Sequence, residues 1–196
     1  MKLLIVNGST RQARATDRVV KWVENNVKGY GLENVEFETI DLRELNLPLF
    51  DEPVSPMMNE NRVTEGSVKQ WLDALAGADG YVFVTPEYNH AMGNGLKNAI
   101  DFIDYQIMKK PFIVVGHGGV GGARAIENVK TTLNANIGAV PVPNSVNVFG
   151  YVGYQDLISE TGEPNDDNVR AQEGPLKGAV ETLAWYANAL KTAREQ

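Results

Sequence analysis

Three short stretches carry side chains whose types and spacing can do chemistry, and each follows an apolar run of strand character. The first is "NGSTRQARAT", residues 7–16. Gly8 permits a tight turn, Ser9 and Thr10 offer hydroxyls, and Arg11 and Arg14 offer guanidinium forks. A helix opening at Thr16 adds free backbone N–H groups, so these parts make an anion site of phosphate type. The stretch lacks the second glycine and Lys-Ser/Thr pair of a Walker loop, and two of the three glycines of a dinucleotide fingerprint.

The second stretch is "TPEYNHAMGNGLKNAID", residues 85–101, where a strand ending at Pro86 is followed by Glu87, Tyr88, Asn89 and His90. These residues either cap the next helix and cover the core, or give a planar aromatic ligand backbone amides and an aromatic wall. The third, "GHGGVG" at 116–121, satisfies G-x-G-x-x-G. It lies after the fourth strand of the run, however, and no acid follows at the ribose-binding distance. Gly116, Gly118, Gly119, Gly121 and Gly122 therefore read as room for a flat ligand to approach the backbone, in competition with a plain flexible turn. His90 and His117, the chain's two histidines, fall in neighbouring strand-end loops. That placement points to a shared site with accessory contacts, not acid–base catalysis.

The elements that must position these loops alternate along the chain. "KLLIV" (2–6), "VEFETIDL" (35–42), "GYVFVTP" (80–86), "PFIVVG" (111–116) and "AVPVPNSVNVFG" (139–150) read as strands, the last at an edge because of its prolines. Between them lie helical patterns: 16–28 with Thr16 as N-cap and Asp17 in the first turn, 65–78, a helix from about Gly93 to Ile107, one after Gly121, and a last helix over about 168–194. Residues 43–63 hold three prolines and no period, and read as a long loop. Alternation of this kind implies right-handed crossovers, a parallel sheet with helices on both faces, and ligand binding beyond the carboxyl ends of the strands at the topological switch point. One domain over 1–196 is expected.

Composition narrows the classes. The 196 residues carry a net charge of −7, which argues against nucleic acid or anionic membranes as partners. Yet residues 1–22 hold Lys2, Arg11, Arg14, Arg18 and Lys21 against Asp17 alone, a basic patch suited to a small anionic ligand. Cysteine is absent, which removes thiolate chemistry and Cys-based metal sites. No apolar stretch approaches the ~18 residues of a membrane helix. A soluble cytoplasmic protein is expected.

On "GSTR" (8–11), "PEYNHAMGNGLKNAID" (86–101) and "GGARA" (121–125) in this order, the chain resembles the NADPH-dependent FMN reductases, a flavodoxin-like family that includes quinone, azo and chromate reductases. The resemblance runs from Lys2 to about Phe149 and implies a three-layer sandwich with a five-stranded parallel sheet of order 2-1-3-4-5. It implies bound FMN with its phosphate on Ser9 and Arg11, Arg14 and Thr16 standing where many members carry Ser and Asn. Pro86, Glu87, Tyr88 and Asn89 would line the isoalloxazine ring, with Gly116, His117, Gly118 and Gly119 on its other edge. NADPH or NADH would give hydride, a quinone, azo compound or free flavin would receive it in ping-pong fashion, and no side chain would be catalytic. A homodimer or homotetramer is implied, resting on the helix near 95–107, whose Ile100, Phe102, Ile103 and Ile107 exceed what one sheet contact requires. A flavodoxin-like electron carrier or a non-catalytic FMN-binding protein is the alternative.

Overall fold

The computed structural model describes residues 1–135, 137–150 and 154–196, with the side chains of residues 154 and 155 left out. The strands are β1 Lys2–Asn7, β2 Glu36–Asp41, β3 Gly80–Tyr88, β4 Ala91–Met92, β5 Pro111–Gly118, β6 Val140–Pro141 and β7 Val146–Phe149. The helices are α1 Thr16–Gly29, α2 Leu42–Leu45, α3 Gly66–Gly77, α4 Asn94–Asp101, α5 Ala123–Ala135, α6 Tyr154–Leu157, α7 Asp167–Arg170 and α8 Glu173–Arg194.

The parallel sheet has the order β2-β1-β3-β5, followed by β6 and β7, which both pair with β5. This is the flavodoxin-like α/β arrangement. The expected fifth strand is divided because Pro141 and Pro143 supply no N–H to a ladder; Val142 still donates to the Phe112 carbonyl at 2.9 Å. The central strands are buried on both faces, as their unbroken apolar runs require. One core joins β1, β3 and β5 to α3, α4 and α5 through Trp71, Phe83, Phe112 and Leu133. The opposite core joins the same strands to α1 and α8 through Trp22, Val82, Val115 and Leu183. The last helix, expected as one piece, is interrupted between α7 and α8.

Two expectations about α4 and its cover change. The helix ends at Asp101, and Ile100, Phe102, Ile103 and Ile107 are all buried within the chain itself. Residues 46–63, which follow α2 and contain a short 3-10 turn at Pro56–Met58, pack against the same core through Leu47 and Phe50. Phe50 packs edge-on against Phe102 with centroids 5.2 Å apart. Arg62 is clamped between Glu52 and Asp104, at 2.6 and 2.8 Å, and its side chain is 7% exposed. The apolar surplus of this segment is therefore satisfied within the chain, the loop contributing part of the cover.

Candidate active site

Loops after β1, β3 and β5 converge above the carboxyl ends of their strands because β1 and β5 both flank β3. They enclose a cleft of about 260 Å³ lined by Arg11, Ala13, Ala15, Pro86, Glu87, Tyr88, His117, Gly118, Gly119 and Gly150. Seven of the twelve sequence-chosen residues line it: Arg11, Pro86, Glu87, Tyr88, His117, Gly118 and Gly119. Ser9, Arg14, Thr16, Asn89 and Gly116 do not, and each has a physical reason.

Gly8 lies so close to β3 that a Cβ there would come within 2.7 Å of the Val84 carbonyl, so the chain can turn only with glycine. Ser9 is buried beneath the turn, its hydroxyl 3.4 Å from the Tyr88 hydroxyl. Arg11 is exposed, and its guanidinium stands 5.3 Å from the Tyr88 ring centroid. Among the described residues the main-chain N–H groups of Thr10, Arg11, Gln12 and Ala13 have no protein acceptor. Free N–H groups beside an exposed guanidinium form an anion cradle.

Arg14 belongs to the scaffold. Its side chain is 4% exposed, donates to Asp41 and to the Ser9 carbonyl, and pairs with Asp17 at 2.7 Å. Burial alone would lower its pKa, but these carboxylates raise it, so the cation is permanent. Its donors are spent on holding the turn, which removes the expected direct phosphate contact. Asn7 reinforces the same knot by donating to Asp17 at 2.8 Å. Asp41 reaches it because β1 and β2 end side by side, with Asn7 opposite Asp41.

Thr16 is the first helical residue and not the cap; Ala15 precedes it without a side-chain cap bond. The Thr16 hydroxyl lies 2.9 Å from His117 Nε2, tying α1 to the end of β5. Burial pushes His117 down to about 3, so the ring is neutral at ordinary pH. His90 is exposed at a hairpin tip, and no bond joins the two histidines, so they do not form one acid–base pair. A depressed pKa means that the unfolded chain binds the proton more readily. The resulting stability is complete above about pH 6.5 and declines as pH falls towards 3, by up to about 1.4 kcal/mol per unit. Urea unfolding at pH 7.5 and 5.0 is expected to show this loss in the native protein and little of it in His117→Asn; equal losses in both would contradict the assignment.

The PEYN strand end folds differently from a simple exit. Asn89 and His90, at φ +49° and +68°, form a two-residue hairpin turn that pairs Tyr88 with Ala91. Asparagine tolerates that conformation well, so the role of Asn89 here is to turn the chain and present Tyr88. Glu87 does cap a helix, but α5 and not the next one. It accepts from the Arg124 N–H at 2.9 Å and from the Arg124 guanidinium at 2.8 Å. Burial would raise its pKa, but these bonds, with one from the Ala125 N–H, hold the carboxyl below the usual range.

The glycine loop is also more constrained than a flexible turn. A Cβ on Gly122, at φ +70°, would meet the His117 nitrogen at 2.5 Å, and one on Gly116 would meet Ile126 at 2.7 Å. Those two glycines bring the start of α5 against β5. Gly118 and Gly119 are the ones that face the cleft. Sequence reasoning missed Asp17, Asp41 and Arg124 as supports. Arg124 stood inside the "GGARA" stretch, and Asp41 at the end of a predicted strand, but only the register shows what each one meets.

The donor set suits a flat ring carrying a phosphate: backbone walls and an aromatic on one side, an anion cradle on the other. The sequence profile of NADPH-dependent FMN reductases matches residues 1–152. The chain belongs to that family. It is 32% identical over 200 residues to an NAD(P)H-dependent FMN reductase of a Nectria species, covering 99% of both chains. It is 30% identical over 199 residues to an NADPH azoreductase of a Bacillus species, covering 100% of this chain and 98% of that one. In fold it is similar to the flavoenzyme NAD(P)H:(acceptor) oxidoreductase of Paracoccus denitrificans, with a TM-score of 0.68, 21% identity and 97% of each chain covered.

Proposed function

We propose that the chain, as a single domain over 1–196, is an FMN-dependent oxidoreductase. It takes a hydride from NADPH or NADH and delivers the electron pair to a small acceptor such as a quinone, azo compound or free flavin. The observation that carries this reading is the joining, in one cleft, of Arg11 and Ala13 from the anion cradle with the walls made by Pro86, Tyr88, Gly118 and Gly119. Bound FMN supplies the ring that accepts the hydride and passes it on. The protein's own residues bind and orient. Arg11 and the free N–H groups hold the phosphate, with Ser9 beneath them. Pro86 and Tyr88 would lie against the ring, and backbone N–H groups on the glycine side would favour negative charge there. His117 stays neutral and moves no proton. Neither a metal cluster nor a nucleophile with its base is called for.

About 260 Å³ is close to the ~300 Å³ lower bound for small-molecule sites, so the ring system and the substrates share little room. Nicotinamide and acceptor must take turns. Initial rates against NADPH at several quinone concentrations are expected to give parallel double-reciprocal lines. Intersecting lines would mean a ternary complex, and no NADPH oxidation at all would leave only an electron carrier or a flavin-binding protein.

The association surface moves from α4 to the loop that covers it. Leu49, Met58 and Val63 are 83%, 77% and 81% exposed, and Tyr105 joins them through a 2.9 Å bond to the Met57 carbonyl. Exposed apolar side chains on this one segment are best satisfied by a second copy, giving a homodimer or homotetramer. Sedimentation at micromolar concentration is expected to exceed the 21.5 kDa of one chain; a monomer alone would remove this proposal. No described helix is long and apolar enough to cross a membrane. A cytoplasmic location, with neither nucleic acid nor membrane as partner, belongs to this proposal and rests on the net charge of −7.

A further inference from the structure

Two of the large apolar side chains left exposed stand apart from the 46–63 loop and beside the cleft: Phe149, 50% exposed, and Val120, 36% exposed. Phe149 ends β7 and pairs with Gly118, which lines the cleft. The next residue, Gly150, also lines it and donates its N–H to the Gly118 carbonyl at 3.0 Å. One edge of the ring rests on Gly121, where a Cβ would come within 3.0 Å of Phe149 Cζ. The turn beneath is fixed in its own right, since Asn147 Nδ2 donates to the Gly121 carbonyl at 3.0 Å. The ring is thus held by strand pairing and a glycine contact on one side while half of it faces solvent at the cleft rim.

We propose that Phe149, with Val120 beside it, is the platform that selects planar aromatic acceptors, bicyclic quinones above all. The proposal rests on the reductase reading of the preceding subsection. A dinucleotide brings phosphates that the basic loop around Arg11 attracts. A quinone has no anion to offer, so its affinity must come from burying ring surface. Tyr88 already has the Arg11 guanidinium over its ring, which leaves Phe149, among the described residues, as the aromatic ring at the rim with area to give.

The test uses FMN-loaded protein and menadione as the bicyclic quinone. In Phe149→Ala, absorbance titration of the oxidised protein is expected to show menadione binding weakened roughly 10-fold, the worth of half a buried ring. Its kcat/KM should fall by the same factor. With ferricyanide, which has no ring to stack, kcat/KM should be unchanged, and so should the rate of NADPH oxidation in the first half-reaction. Phe149→Trp should restore menadione binding. An equal loss with both acceptors, a slowed NADPH step, or unchanged menadione affinity would overturn the proposal. So would a change confined to sedimentation, which would give the ring to a second copy of the chain. Should the native protein oxidise NADPH with neither acceptor, the reductase reading itself fails, an outcome distinct from a working enzyme indifferent to Phe149.

Discussion

Arg14→Ala is expected to lower the unfolding free energy by about 2–3 kcal/mol. The arginine is buried, and without it Asp41 and Asp17 face each other with no cation between them. Breaking a fully buried pair costs about 3–5 kcal/mol; the partial exposure of both acids reduces the figure. Arg14→Lys should lose less, about 1 kcal/mol, because it keeps the charge but cannot reach Ser9, Asp41 and Asp17 together. Urea unfolding at neutral pH measures both. A loss under ~0.5 kcal/mol for the alanine variant, the value of an exposed pair, would mean that the knot is ornamental.

The architecture was legible because its signals are local and strong. β1, β3 and β5 are continuous apolar runs that only a doubly covered parallel sheet can bury, and the three motif loops follow them directly. The cleft followed from the same logic, since adjacent parallel strands carry their C-terminal loops to one place. What could not be read were the choices made by single side chains with several partners in reach. Arg14 in a basic loop looks like a phosphate ligand until β2 places Asp41 beside it, a contact 27 residues away in sequence. Thr16 has the chemistry of a cap, yet the buried His117 claims its hydroxyl from 101 residues away. Asn89 looks like a ligand amide, and its positive φ makes it a turn residue. The apolar excess after α4 looked like an interface because no periodicity marks residues 46–63 as its cover. For Arg14, Thr16 and the segment after α4 a non-local partner decided between the readings, and for Asn89 the backbone conformation did.

The claim on which the account turns is that the first strand-end loop is a phosphate site and the cleft beside it a flavin site. Arg11 is the residue that separates them. It is exposed, its polar and ring contacts among the described residues are with Tyr88 alone, at 5.3 Å from the ring centroid and 3.5 Å from the hydroxyl, and it stands beside N–H groups without a protein acceptor. A charged hydrogen bond to phosphate is worth about 1.5–3 kcal/mol, so Arg11→Ala should weaken FMN by roughly 10- to 150-fold. Riboflavin has the same ring and no phosphate, and its affinity should barely change. Fluorescence titration of the flavin-free protein with both ligands, native and Arg11→Ala, is therefore the most direct measurement. The account predicts tighter binding of FMN than riboflavin in the native protein and a loss confined to FMN in the variant. Equal affinities in the native protein, or equal losses in the variant, would contradict it.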